Sequence, residues 1–194
     1  MKNTVLKLFG IVMALGILSI LIVNPVQAAT DARRGGPGGQ NQNSGLANRQ
    51  GNGSGTGLLF VETAPLTEAE VVSLQAAIVE EYMAYNTYSE IIAEYGQVVP
   101  FSRIALAEQQ HTEALLRLAN YYNVAVPEDN GQTFNFAYTT LAEACQVGVE
   151  IETADAEDLQ KMISETENPN LIMVYTNLMN ASLNKHLVAF EAYN

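Results

Sequence analysis

Glu108-Gln109-Gln110-His111 sets a carboxylate and an imidazole three residues apart, which on a helix puts both on one face and pointing the same way. That face is predicted to be the inner one, because Ile104, Glu108, His111, Leu115, Leu118 and Tyr122 follow the 4,3 spacing of a core stripe. Glu-x-x-His on a core-facing helix is the unit from which metal sites inside helical bundles are built.

Working outward, helix signals recur on both sides. Thr67-Glu68-Ala69-Glu70 is a capping box after Pro65 and opens a first helix that runs to about Tyr95 and stops at Gly96. The second helix begins near Phe101 or Ser102, after Pro100, and ends around Asn123. A second capping box, Thr140-Leu141-Ala142-Glu143, starts a third helix reaching about Thr166. Asn168 then caps a fourth, with Pro169 at its first position, that runs close to the C-terminus. Gln132 to Tyr138 is the one extended piece, and no alternating run is there to pair with it. The expectation is an all-α fold, an antiparallel four-helix bundle whose longer second-to-third connection is a crossover.

The same spacing gives inner stripes for the other helices: Leu74, Ile78, Glu81, Tyr85, Tyr88, Ile92 and Tyr95 on the first; Leu141, Cys145, Gly148, Glu152, Asp155, Leu159 and Met162 on the third; Ile172, Tyr175, Met179, Ser182, His186, Ala189 and Tyr193 on the fourth. An ionised carboxylate in an apolar core costs several kcal/mol unless it is paired or coordinated. Four fall on these stripes, whereas Arg103, Arg117, Lys161 and Lys185 all fall off them. Divalent ions would neutralise the charge directly. The candidate ligands are Glu81, Glu108, His111, Glu152, Asp155 and His186, an oxygen and nitrogen set suited to iron or manganese, with zinc as an alternative. Glu143 is read as a cap, Glu80 and Glu150 as surface, and Tyr85 and Tyr88 as packing with a hydrogen bond to a ligand carboxylate. Ser182 is a candidate donor near His186, with simple helix-helix packing as the equal alternative.

The depths of these groups do not match at once. Glu81 lies about twice as far from the end of its helix as Glu108 from the start of the next, an offset of roughly 10 Å at 1.5 Å per residue. Either the Gly96 to Pro100 loop is extended or the first helix ends early.

The rest of the 194 residues bounds the setting. Lys2 and Lys7 precede an apolar stretch from Leu8 to Val23 and the small-residue run Pro25-Val26-Gln27-Ala28, so residues 1–28 read as a signal peptide. Cleavage makes the protein periplasmic or extracellular; retention would leave a single membrane anchor. Residues 29–57, rich in Gly, Asn, Gln and Ser, read as a flexible linker, and residues 58–194 as the folded domain. Gly51-Asn52-Gly53-Ser54-Gly55 resembles a phosphate loop only superficially, since Thr56 replaces the last glycine and no strand precedes it. Cys145 stands alone, which removes intramolecular disulfides and four-cysteine metal sites and reads as packing. From Leu58 onward four basic residues face twenty acidic ones, a charge of −16 that excludes nucleic acid as a partner.

Glu81-x-x-Ala84-x-x-x-Tyr88 and Glu108-x-x-His111 resemble the first two ligand segments of the rubrerythrin-like branch of the ferritin-like superfamily. Glu80-Glu81 with Ala84 and Tyr88, Phe101, Gly148 before Glu152-x-x-Asp155, Asp158-Leu159, and Ser182 near His186-Leu187-x-Ala189-Phe190 look more closely like a prokaryotic ferritin-like family catalogued as domain of unknown function 2202. The resemblance spans roughly Pro65 to Tyr193 and implies that the six candidates are ligands. One departure stands out: Leu183 occupies the place, three residues before His186, where a carboxylate is expected, and Asp155 is the residue able to supply the missing oxygen.

The function expected is that of an exported protein holding two divalent metal ions, iron first, and oxidising them with oxygen or peroxide in a peroxidase- or ferroxidase-like manner, with an external electron donor. No catalytic residue is assigned. The alternative is a non-enzymatic, metal-stabilised or metal-free module that binds an envelope partner. A homodimer is compatible with either, whereas iron storage needs a cage-forming oligomer that a long flexible N-terminus does not support.

Overall fold

A computed structural model of the chain describes residues 59–193. The expected signal peptide and linker lie outside the described residues. Both capping boxes form. Thr67 Oγ1 accepts from the Glu70 amide while Glu70 Oε2 accepts from the Thr67 amide, and Thr140 and Glu143 do the same. They open α1, Glu68–Tyr95, and α3, Leu141–Ser164. α2, Phe101–Tyr121, follows Pro100. α4, Pro169–Ala181, is capped by the Asn168 side chain, which accepts from the Asn170 and Leu171 amides.

The expected fourth helix is one rod in three pieces, and this is a departure from the sequence expectation. After α4 comes a π-helical turn, Ser182–His186, and then α5, Leu187–Glu191. The wider turn shows in the bond from the Leu187 amide to the Ser182 carbonyl, five residues back. It delays the inner stripe by one residue. Phe190, not Ala189, therefore becomes the buried side chain after His186, and Tyr193 is left exposed.

Chain direction follows from contacts along the crossover. Gln75 near the start of α1 donates to the Ala125 carbonyl, Asn86 donates to Asp129 and to the Gln132 carbonyl, and Tyr95 at the end of α1 packs against Tyr138. The connection thus climbs the length of α1, so α2 and α3 run the same way and each neighbouring pair of helices is antiparallel. Within it Phe134, Phe136 and Tyr138 alternate inward onto the core, which explains the strand-like pattern in a segment that forms no strand. The offset in depth is absorbed by the loop, since α1 does reach Tyr95. The loop after Gly96, held by bonds from the Val98 amide to the Gly96 carbonyl and from the Ser102 amide to the Val98 carbonyl, lets Glu81 Oε2 come within 3.5 Å of His111 Nδ1.

The core is in two apolar halves. Leu74, Ile78, Leu115, Leu118, Leu171 and Tyr175 fill one end of the bundle; Tyr88, Ile91, Phe101, Ile104, Cys145, Ile151 and Phe190 fill the other. Cys145 packs as expected. The first helix turns slightly from its expected stripe, burying Ala84, Thr87 and Ile91 and leaving Tyr85, Ile92 and Tyr95 half-buried. Between the two apolar halves lies a belt of carboxylates and imidazoles.

Candidate metal centre

Each of the four rods contributes to that belt. α1 brings Glu81, α2 brings Glu108 and His111, α3 brings Glu152 and Asp155, and the π turn brings His186. Glu108 is central. Its Oε2 lies 2.8 Å from His111 Nδ1 and its Oε1 lies 3.0 Å from His186 Nδ1. Glu152 Oε2 is 3.2 Å from His186 Nδ1 on the far side, and the two imidazole rings stack at 5.3 Å. Glu81, Glu108, Glu152 and His186 are buried, and Asp155 and His111 are partly so.

Close as they are, these groups do not all satisfy one another: His186 Nδ1 pairs with Glu152 Oε2, but two other atoms have no such bond. Glu108 Oε1 and His111 Nδ1 are wholly buried without a directional hydrogen bond, although each has an opposite partner at ion-pair distance. Orphaned buried donors and acceptors of this sort are rare in proteins and call for a ligand. The donor set, oxygen and imidazole nitrogen, fits iron, manganese or zinc.

Electrostatics points the same way. Burial, with Glu108 and Asp155 nearby, pushes the Glu81 carboxyl well above the usual range. Burial and Glu108 raise Glu152 to about 7 against the opposing pull of His186 and Tyr88, and burial raises Asp155 to about 6 despite its bond from Ser182. Burial works against ionisation of Glu108 too, but contacts with both imidazoles hold it at about 2. Burial lowers His186 and His111, yet Glu108 outweighs it at both, raising His111 and taking His186 to about 9. Without metal the belt stores protons in place of cations.

Residues 72–193 match the family described as an uncharacterized protein domain, DUF2202. The chain belongs to this family. The uncharacterized protein MJ0754 of Methanocaldococcus jannaschii is 33% identical over 141 residues, which cover 65% of this chain and 75% of that protein. The crystal structure of hypothetical protein MJ0754 from Methanococcus jannaschii DSM 2661 aligns with a TM-score of 0.61 at 30% identity, over 67% of this chain and 82% of that one. Mycobacterium tuberculosis bacterioferritin, BfrA, shares the fold at 14% identity and a TM-score of 0.56, over 66% of this chain and 86% of that one. This chain therefore has a ferritin-like fold, and it carries a carboxylate and histidine cluster able to hold metal, with ligand atoms of Glu108, His111 and His186 all within 4.8 Å of one another.

Around the belt the DUF2202 domain shows groups that the sequence had placed elsewhere or left unassigned. Glu80, read as surface, is largely buried with Oε2 enclosed and unpartnered, and burial together with Asp158 and Asp155 raises it to about 8. The available signal was Asp158, one turn beyond Asp155 on the α3 face that meets α1. Ser182 donates to Asp155 Oδ2 at 2.6 Å, not to His186. Leu183 is 40% exposed, so the expected position of the missing carboxylate does not face the belt at all. Tyr88 donates to Glu152 Oε1 at 2.7 Å, while Tyr85 makes no such bond.

Proposed function

We propose that this chain is an exported ferritin-like protein that binds two divalent ions, iron first among them with manganese or zinc as alternatives, and that iron or manganese held there is oxidised by oxygen or peroxide. The observation that carries the reading is Glu108, whose two oxygens each stand beside a different imidazole, the arrangement of a carboxylate shared between two metals. Glu81 and His111 would hold one ion, Glu152 and His186 the other, with Glu108 common to both and Asp155 adding a further oxygen. When bound, the pair supplies one-electron redox chemistry and open positions for an oxidant.

The chain's own groups prepare the site. Tyr88, pinned between Phe101 and Phe190 with ring centroids 5.8 and 5.3 Å away, fixes Glu152 through its hydroxyl and helps keep water from that side. The His111 side chain is 13% exposed and that of His186 only 5%, so an oxidant or an exchanging ion approaches from the His111 side. The carboxylates of Glu81 and Glu152 would offset the positive charge of the metals. Cys145 is buried and the only cysteine, so electrons for turnover come from an external donor. Export rests on the basic start and apolar stretch at the N-terminus, and the mass of the mature protein in its native compartment tests it.

Anaerobic iron loading tests the centre. The expected outcome is about two irons per chain, as a shared carboxylate requires, with loss of the ferrous signal on adding peroxide. No stoichiometric metal, and a melting temperature unmoved by metal, would replace this reading with that of a metal-free module.

A further inference from the structure

α4 and its continuation bring only one metal-binding side chain to the belt, His186, since Glu191 is exposed and Leu183, at the place of the expected carboxylate, faces outward. The oxygen that this rod lacks has to come from elsewhere. Asp155 on α3 is partly buried, follows the buried Glu152 by one turn and accepts from the buried Ser182 at 2.6 Å, so it borders the belt from the α3 side. A free aspartate there has two equivalent oxygens and a side chain able to turn between the belt and the α1 face, where Glu80 and Asp158 also lie. One contact decides between these orientations.

Ser182 is 1% exposed and opens the π turn. Its hydroxyl has a single proton and two acceptors in reach, Asp155 Oδ2 at 2.6 Å and the Leu178 carbonyl at 3.2 Å. The ordinary fate of a helical serine is the bond to the carbonyl four residues back. Here the carboxylate is far closer, and a bond to an ionised acceptor is roughly twice as strong as a neutral one. The proton therefore belongs to Asp155. Because the π turn holds Ser182 and His186 on the same inner face, the donor and the imidazole are set by one piece of backbone.

We propose that Ser182 is a positioning residue: by engaging Oδ2 it holds Asp155 toward the belt and commits the other oxygen, Oδ1, to metal, so that α3 and the π turn together replace the carboxylate missing from position 183. This rests on the dinuclear reading above. The wide turn keeps the donor of the hydrogen bond and the nitrogen ligand on one inner face and shifts only the residues that follow His186.

Cobalt(II) binding to the full chain, followed by titration and by its visible absorption, provides the test. Ser182→Ala is expected to weaken one of two binding steps about ten-fold or more, the usual scale for losing a group that orients a ligand, and to change the cobalt spectrum. Ser182→Thr, which keeps the hydroxyl, is expected to restore both. In an Asp155→Asn background Ser182→Ala should add nothing, because the serine acts only through that carboxylate. Thermal melting of each metal-free variant checks that it folds. Wild-type binding of two ions with Ser182→Ala unchanged, or equal losses from Ser182→Ala in both backgrounds, overturns this proposal alone. Wild type that binds no cobalt or iron overturns it together with the dinuclear reading.

Discussion

Phe190 fills the space that any side chain on Gly148 would need: its Cδ1, Cε1 and Cζ atoms lie 2.6 Å from the place a Cβ would take. The ring also packs on Phe101 at 5.0 Å and on Tyr88 at 5.3 Å, and Tyr88 is the residue that holds Glu152. A glycine in the middle of α3 is thus coupled through two rings to the belt. Phe190 reaches this place because the π turn delays the stripe by one residue.

Gly148→Ala should therefore destabilise the fold despite the better helix propensity of alanine. Overpacking of this kind costs about 1–3 kcal/mol, against roughly 1 kcal/mol gained from propensity. Thermal melting of the metal-free protein measures the balance, and a melting temperature above wild type would show that Phe190 moves aside freely. Metal affinity should fall with stability, because a displaced Phe190 releases Tyr88.

Glu108→Ala should abolish stoichiometric metal altogether, since Glu108 alone touches both imidazoles. Glu150→Ala, on the exposed face of α3, should leave metal content unchanged and is a cleaner control than the largely buried Glu80. Elemental analysis after iron loading reads both. Loss of metal in the two variants alike would detach binding from the inner face.

Tyr88→Phe removes one hydrogen bond from Glu152 and leaves the ring packing in place. The metal-free protein should lose about 1 kcal/mol of stability, while metal affinity should drop about ten-fold. Titration and melting on the same samples separate the two effects; equal affinity would show that Glu152 is held well enough by His186.

Metal uptake should release protons. At pH 7 His186, raised to about 9, keeps a proton that metal must displace, and Glu152, at about 7, is part-protonated, so about one or more protons should leave per chain loaded. Affinity consequently rises between pH 6 and about 9, the value to which Glu108 and Glu152 lift His186. Calorimetry in two buffers of different ionisation enthalpy counts the protons, and binding independent of buffer and pH would contradict the proton-filled belt.

Stability of the metal-free protein should show the opposite trend. His186 is raised from 6.5 to about 9, so its contribution is full below the unfolded value and is lost as pH climbs through the folded one. Glu152 at about 7, Asp155 at about 6 and Glu80 at about 8 also bind protons more tightly folded than unfolded, which again lowers stability as pH rises above their unfolded values. Glu108, held at about 2, works the other way, and only as pH falls below its unfolded value of 4.5. Melting temperature should peak near pH 5 and decline toward 9, and excess metal should flatten or reverse the decline.

The sequence by itself determined the four rods and the faces they bury. Capping boxes, Pro169 and Gly96 act within a turn of themselves, and the 4,3 stripe reports which face meets the core whatever lies opposite. That was enough to put Glu81, Glu108 with His111, and Glu152 with Asp155 on inward faces, but it left Glu80 on the surface. Only the tertiary structure decided what these groups do to one another. The sharing of Glu108 between two imidazoles, the turning of Ser182 to Asp155, the burial of Glu80 against α3 and the entry of Phe190 over Gly148 all depend on the relative height and rotation of separate helices. Those are set by the Gly96 to Pro100 loop and by one π turn, and a π turn leaves little mark on local sequence because its wider ring is stabilised by the packing and side-chain contacts it makes possible, not by the propensities of its own residues.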